Sequence, residues 1–123
     1  MTEQEKRSLI SEFAAAWARA DVDALMNMMT DDCVFGASVG PEPGTTFRGR
    51  EMVRDGFIEL LEFEAGGEQH VGNLWILDDH AFGEWSYDQT DDAGNVFNIR
   101  GFDVFRFSSG RIQQKDAYRK TTY

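Results

Sequence analysis

Asp103 stands in the most hydrophobic stretch of the chain, Ile99-Arg100-Gly101-Phe102-Asp103-Val104-Phe105-Arg106-Phe107. Burying an ionised carboxylate costs several kcal/mol unless it is paired, hydrogen-bonded or protonated. Asp103 therefore either points to water or lines a cavity where a carboxyl group has chemistry to do. In an apolar cavity its pKa rises and it suits general acid catalysis; a nearby Lys or Arg keeps it ionised and makes it a base. If Asp103 looks inward, strict alternation sends Ile99, Gly101, Phe105 and Phe107 with it. Arg100, Phe102, Val104 and Arg106 then face out.

Other groups could share the work. His70 follows Glu68 and Gln69 at the start of a strand and offers imidazole acid–base chemistry, although a lone strand histidine is more often packed or at the surface. Lys115 and Arg119 share one face of the last strand with Ala117. Turned to a cavity, that face would bring a cation beside Asp103 to receive a carboxylate or enolate; turned to water, it is an ordinary basic strand. Trp17 and Trp85 supply aromatic surface to a ligand, and core packing explains either one equally. At residues 84–88 the inward set is either Trp85 and Tyr87 or Glu84, Ser86 and Asp88, and burial favours the aromatic pair. His80 follows Asp78-Asp79 in a turn and reads as solvated.

The elements that must position these groups can be read from periodicity. Thr2 and Glu5 form a capping box, and Leu9, Ile10, Phe13, Trp17 and Ala20 predict an amphipathic helix over residues 3–20. Asp21 can cap a short second helix carrying Leu25, Met26, Met28 and Met29. Asp31-Asp32 reads as its break, with a short strand beginning at Cys33-Val34-Phe35. Residues 36–47 contain three Gly and two Pro and read as a loop, with a lid over the opening as the sharper alternative. Met52, Val53, Phe57, Leu60 and Leu61 define a third helix, ended by Ala65-Gly66-Gly67. Four strand-like runs follow, at 68–77, 81–90, 95–107 and 111–119, joined by turn sequences. Helices followed by a β-meander predict one α+β domain over residues 1–123, with three N-terminal helices on the concave face of a curled, mostly antiparallel sheet.

Composition narrows the function classes. A chain of 123 residues that is 41% hydrophobic, with ten Phe and three Trp, can fill one core and line a cavity as well. The net charge of −10 argues against nucleic acid and anionic membranes, both of which need a basic face. No apolar run reaches membrane-spanning length, and the acidic start is unlike a secretory leader. A single cysteine, Cys33, fits a reducing cytoplasm. Two His and one Cys at unrelated spacings predict no metal site.

The order of several short motifs resembles the nuclear transport factor 2-like superfamily. Trp17 followed by Ala20-Asp21-Val22-Asp23-Ala24-Leu25 and Thr30-Asp31-Asp32-Cys33-Val34-Phe35 is similar to its opening. Arg48-Gly49-Arg50-Glu51-Met52-Val53 is similar to its entry into the third helix. Gly101-Phe102-Asp103-Val104-Phe105-Arg106-Phe107 with Gly110-Arg111-Ile112 is similar to its closing strands. The resemblance covers nearly the whole chain and implies a cone-shaped α+β barrel, dimeric through the outer sheet face, where Phe102 and Val104 would lie. It also implies that the face carrying Lys115, Ala117 and Arg119 looks into the cone, and that Trp17 points into its mouth.

Within that superfamily the resemblance is to SnoaL-like polyketide cyclases and ketosteroid isomerases, which carry a pocket acid where Asp103 stands. In the isomerase the matching acid is neutral and donates a hydrogen bond to a developing enolate. The departures are informative. The isomerase base would fall near Ala37, its oxyanion Tyr near Phe13 and its supporting Tyr on Phe57, so Phe13 and Phe57 become apolar substrate wall beside Phe105. Dehydratase-like members place a catalytic His at Gln69-His70 and a Tyr at Trp17, but their Asp falls near Ala18. Epoxide-hydrolase relatives need an Asp near Ala117. The implied function is a cofactor-independent cyclase, isomerase or dehydratase in which Asp103, helped by His70 or Lys115, moves a proton next to a carbonyl of a hydrophobic molecule. The competing reading is a dimeric, non-catalytic domain that binds a small apolar ligand.

Overall fold

The computed structural model describes residues 1–65 and 67–121. Helix α1 (Glu3–Ala18) opens on the expected capping box: Glu5 N–H donates to Thr2 Oγ1 at 3.1 Å and Thr2 N–H to Glu5 Oε1 at 2.8 Å. It stops short of Ala20, which adopts a left-handed φ of 55° while Asp21 N–H returns to the Ala16 carbonyl at 2.9 Å. Asp21 then caps α2 (Val22–Asn27) by accepting from Ala24 N–H at 3.1 Å.

Strand β1 (Met29–Gly36) begins earlier than expected. Asp31-Asp32 does not separate helix from strand; the pair sits inside β1 as an exposed irregularity, where pairing shifts between Met29 and Val34. The segment read as a loop also contains a strand, β2 (Thr46–Arg48), paired antiparallel to β1. Helix α3 (Arg50–Phe63) follows. Its Arg50 donates to the Met29 carbonyl at 2.9 Å and the Met26 carbonyl at 3.0 Å, tying α3 to α2 and β1. The expected stop at Ala65-Gly66-Gly67 includes Gly66, which lies outside the described residues.

Strands β3 (Glu68–Leu77), β4 (His80–Thr90), β5 (Val96–Ser108) and β6 (Arg111–Arg119) match the four predicted runs to within a residue. The β5–β6 connection turns through Ser109 and Gly110 with φ of 54° and 76°, the two positive values a primed hairpin turn requires. The sheet has six strands in the order β2-β1-β6-β5-β4-β3, antiparallel except where β1 runs parallel to β6. With β2 and β3 as edges the curled sheet does not close, so the cone is open rather than a complete barrel.

The core lies between the helices and the concave face. Ile10, Phe13 and Ala16 of α1, with Val53, Phe57 and Leu60 of α3, pack against Phe35, Ala81, Phe105, Phe107 and Ile112 of the sheet. Cys33 is part of this core, and burial pushes its thiol pKa up.

Gly56 shows how β2 is held. A Cβ there would come within 2.6 Å of the Phe47 ring, so α3 gives up helix propensity to let that ring in. Gly56→Ala should destabilise the protein by about 1–3 kcal/mol through overpacking. In a Phe47→Ala background the same change should instead stabilise by up to about 1 kcal/mol, the helix propensity difference. Urea unfolding of the four proteins of this cycle gives both signs; a change of equal size in the two backgrounds would contradict the proposed contact.

Candidate functional site

Asp103 looks inward. It is 8% exposed, Phe105 and Phe107 are buried beside it on β5, and Arg100, Phe102 and Arg106 are exposed on the other face. Its direct cross-strand neighbours are Gly83 on β4 and Ala117 on β6. Neither neighbour carries a side chain large enough to cover the carboxyl group, and Ala117 lines the same cavity as Asp103.

Residues one pleat away reach over to hold it. Trp85, opposite Gly101, donates its indole Nε1–H to Asp103 Oδ1 at 3.1 Å. Lys115, opposite Phe105, places Nζ 3.4 Å from the same oxygen and is only 6% exposed. That ammonium also lies 4.5 Å from the centre of the Trp17 ring and 4.9 Å from that of Phe35, within cation–π range. Oδ1 thus receives two donors, while Oδ2 has no hydrogen-bond partner among the described residues. Burial pushes the Asp103 pKa up; the Lys115 charge and the Trp85 and Lys115 hydrogen bonds pull against that rise without cancelling it.

The space beside Asp103 is a cavity of about 130 Å³, walled by Phe13, Trp17, Phe35, Leu60 and Trp85, with Lys115 and Ala117 next to the acid. Apolar cavities of about 150 Å³ accept benzene, so this one takes a single ring, and anything larger must extend through the mouth. Val71 and His70 lie at its edge and are exposed.

The sequence-predicted residues are distributed as follows. Asp103, Lys115, Trp17, Phe13 and Trp85 meet at the cavity. Phe57 and Phe105 stand behind its wall: Phe57 is fully buried among Phe13, Trp17 and Phe35, and Phe105 packs edge-on to Phe13. At 84–88 the aromatic pair is the inward one, Tyr87 being fully buried. Arg119 turns toward Tyr87 and Ser38, donating from Nη1 to Tyr87 Oη at 2.8 Å and from Nε to Ser38 Oγ at 3.3 Å. The His70 imidazole is on the outer face, with Nε2 3.5 Å from Asp88 Oδ2. Glu68 joins them there, the ligand atoms of the three lying within 4.8 Å of one another. His80 opens β4 and pairs with Asp79 at 2.8 Å.

The largest omission in the sequence reading is Glu64. It follows α3 directly, is half-buried and lines the cavity. Its Oε1 accepts from Trp17 Nε1 at 3.4 Å and from Gln69 Nε2 at 3.2 Å. The signal was present: Val53, Phe57, Leu60 and Glu64 fall on one stripe at helical spacing, so the acid continues the buried face.

The direction of the Asp103 shift is measurable. By carbon-13 NMR its carboxyl should titrate above the ordinary Asp value of ~3.9, while Asp88, held down by its hydrogen bonds to Asn98 and His70, should titrate below it. Lys115→Met removes the main influence opposing the rise, so the Asp103 value should climb further. An Asp103 titration at or below that of surface carboxyls would contradict the geometry.

The family model for the SnoaL-like domain matches residues 10–115. No curated protein matches the sequence. A nuclear transport factor 2-like protein of unknown function from Mesorhizobium loti is 21% identical, with 96% of this chain and 93% of that one covered at a TM-score of 0.78. The epoxide hydrolase/cyclase-like enzyme SalBIII, of pyran ring formation in the polyether salinomycin, is also 21% identical, covering 97% and 93% at 0.78. A protein of ketosteroid isomerase-like fold from Catenulispora acidiphila, crystallised with trimethylamine, is 19% identical, covering 89% and 83% at 0.69. Identities this low establish shared fold alone, that of the nuclear transport factor 2-like structures, but the family match spans most of the sequence: the chain belongs to the SnoaL-like domain family.

Proposed function

We propose that the protein is a small-molecule enzyme in which Asp103 transfers a proton at a carbon next to a carbonyl of a hydrophobic substrate. The observation that carries this reading is the division of labour on the carboxyl group. Oδ1 is anchored by Trp85 and Lys115, while Oδ2 is left without a partner among the described residues, on a residue that lines an aromatic-walled cavity. A carboxylate held this way keeps a basic oxygen in a fixed position, and its raised pKa makes it a stronger base than a surface Asp.

The step follows from the arrangement. Oδ2 takes the proton from the carbon; the C–H electron pair becomes a C=C bond, and the carbonyl π pair moves onto oxygen. The Lys115 ammonium, beside the acid, is the group available to stabilise that oxyanion. Asp103 then returns the proton to another carbon, or the enolate carbon attacks a second carbonyl, whose π pair moves onto its oxygen, and the alkoxide so formed takes the proton back from Asp103 as the ring closes. Neither outcome needs redox chemistry.

A second reading has its own support. The Lys115–Asp103 pair is complete without a ligand, as expected for a binding domain in which the pair is purely structural. Exchange of carbon-bound hydrogen separates the two. Incubated in deuterium oxide with small cyclic and aryl ketones, the protein should accelerate deuterium incorporation beside the carbonyl. Asp103→Asn should lower that rate by about 100- to 10,000-fold while leaving the circular dichroism spectrum native-like and the urea unfolding transition cooperative and native-like. Exchange that survives Asp103→Asn rules out its proposed role, and no exchange with any ketone that binds favours the binding domain.

The outer sheet face supports a homodimer. Phe102 and Tyr118, 40% and 50% exposed, stack in register with ring centres 5.1 Å apart, and Trp75, Phe82 and Val104 continue the apolar strip across the next row. An apolar strip on a sheet face is the surface that association would cover. Light scattering should give twice the chain mass of 14.0 kDa, and Phe102→Asp should return it to the single-chain value. A native protein of single-chain mass at micromolar concentration would refute the dimer.

A further inference from the structure

The cavity has a second carboxylate built like the first. Asp103 Oδ1 is held by the indole N–H of Trp85 and a second donor, Lys115. Glu64 Oε1 is held by the indole N–H of Trp17 and a second donor, the Gln69 amide. In each case the other oxygen has no partner among the described residues. The difference lies in charge. Asp103 has an ammonium beside it, whereas both donors on Glu64 are neutral and no cation lies within ion-pair distance of it among the described residues. Of the cations near it, Lys115 is paired with Asp103, and Arg119, which is not part of the cavity lining, donates from Nε to Ser38 and from Nη1 to Tyr87 while its buried Nη2 has no partner among the described residues.

Besides His70 at its edge, whose ring contacts Asp88, the lining of the cavity carries two acids and one ammonium, and Glu64 is the acid with no cation beside it among the described residues. A half-buried carboxylate whose only partners are neutral donors is a strong site for an incoming cation, because a charge-assisted hydrogen bond gains most where water is scarce. An anionic ligand would instead meet two carboxylates for one cation. The net charge of −10 further favours encounter with cations over anions.

We infer that the cavity takes a ligand carrying an N–H-bearing ammonium group on a ring-sized apolar body. The ammonium seats on the free oxygen of Glu64, and the ring occupies the aromatic-walled space. Any carbonyl on the molecule is directed toward Asp103 and Lys115. This deepens the proposed function by naming a substrate class for the same cavity, and it rests on that cavity being the ligand site.

Three single-ring probes of nearly equal shape test the inference: 2-phenylethylamine, 2-phenylethanol and 3-phenylpropanoate, each titrated calorimetrically at neutral pH and low salt. The amine should bind at least about tenfold more tightly than the alcohol, the margin expected of one hydrogen bond to a charged group, and the propanoate more weakly than either. Glu64→Gln should reduce the amine's advantage, read as the ratio of amine to alcohol affinity, to within about twofold. Equal binding of amine and alcohol, tighter binding of the propanoate, or an amine preference that survives Glu64→Gln overturns the inference and leaves the cavity intact as a ligand site. If no probe binds at millimolar concentration, the cavity reading falls as well.

Discussion

The inward carboxyl of Asp103 constrains everything around it. An acid on the concave face of a sheet faces an apolar core, and the fold has to compensate its desolvation or empty the position of charge. Here compensation comes from the sheet's own register. Gly83 and Ala117 beside Asp103 are too small to crowd it, and the larger side chains one row away, Trp85 and Lys115, converge on a single oxygen. Trp17 and Phe35 flank the ammonium in turn, so the helix and the parallel strand β1 are both recruited to hold a charge that β6 supplies. The cavity opens beside this cluster, with Ala117 as the small residue in its lining.

That dependence explains what was legible in the sequence. Regular alternation made β5 readable, and the direction of Asp103 followed once Phe105 and Phe107 were placed inside. Lys115 could be placed only by analogy, because its strand alternates Gln, Lys, Asp and Ala without a hydrophobic face. His70 was harder still. Residues 70, 72, 74 and 76 share one parity, and Leu74 and Ile76 do turn toward the core. Pairing slips between Val71 and Leu74, however, where Gly72 and Asn73 oppose Glu84, and the slip reverses the phase. Before it, Gln69 and Val71 look inward and His70 looks out. A bulge of this kind leaves no periodic signal; only the close approach of Gly72 to Glu84 betrays it.

The strand β2 and the acid Glu64 were missed for a related reason. Three residues between Gly- and Pro-rich turns are too few to show a period, and Thr46–Arg48 becomes a strand because β1 offers an edge and Gly56 admits the Phe47 ring. Glu64 looks like an ordinary polar residue at a helix end when each residue is judged singly. Its meaning comes from the stripe it extends and from an indole 47 positions away, the Trp17 ring of another helix, beyond the reach of any local pattern. Groups defined by tertiary neighbours of this sort are where pattern reading stops.

The size of the cavity finally limits how its parts can act together. At about 130 Å³ it admits one ring, so a bound molecule cannot move far from the groups that first receive it. Under such confinement a base needs little reach but must be aimed, and aiming is what two donors on one oxygen accomplish. The same confinement makes the Lys115 charge matter more: with aromatic faces excluding water, its attraction for an adjacent oxyanion is only weakly screened. A carboxylate, an ammonium and a wall of rings, each ordinary in water, acquire under the proposed function the means of proton transfer because the sheet register forces them into a space this small.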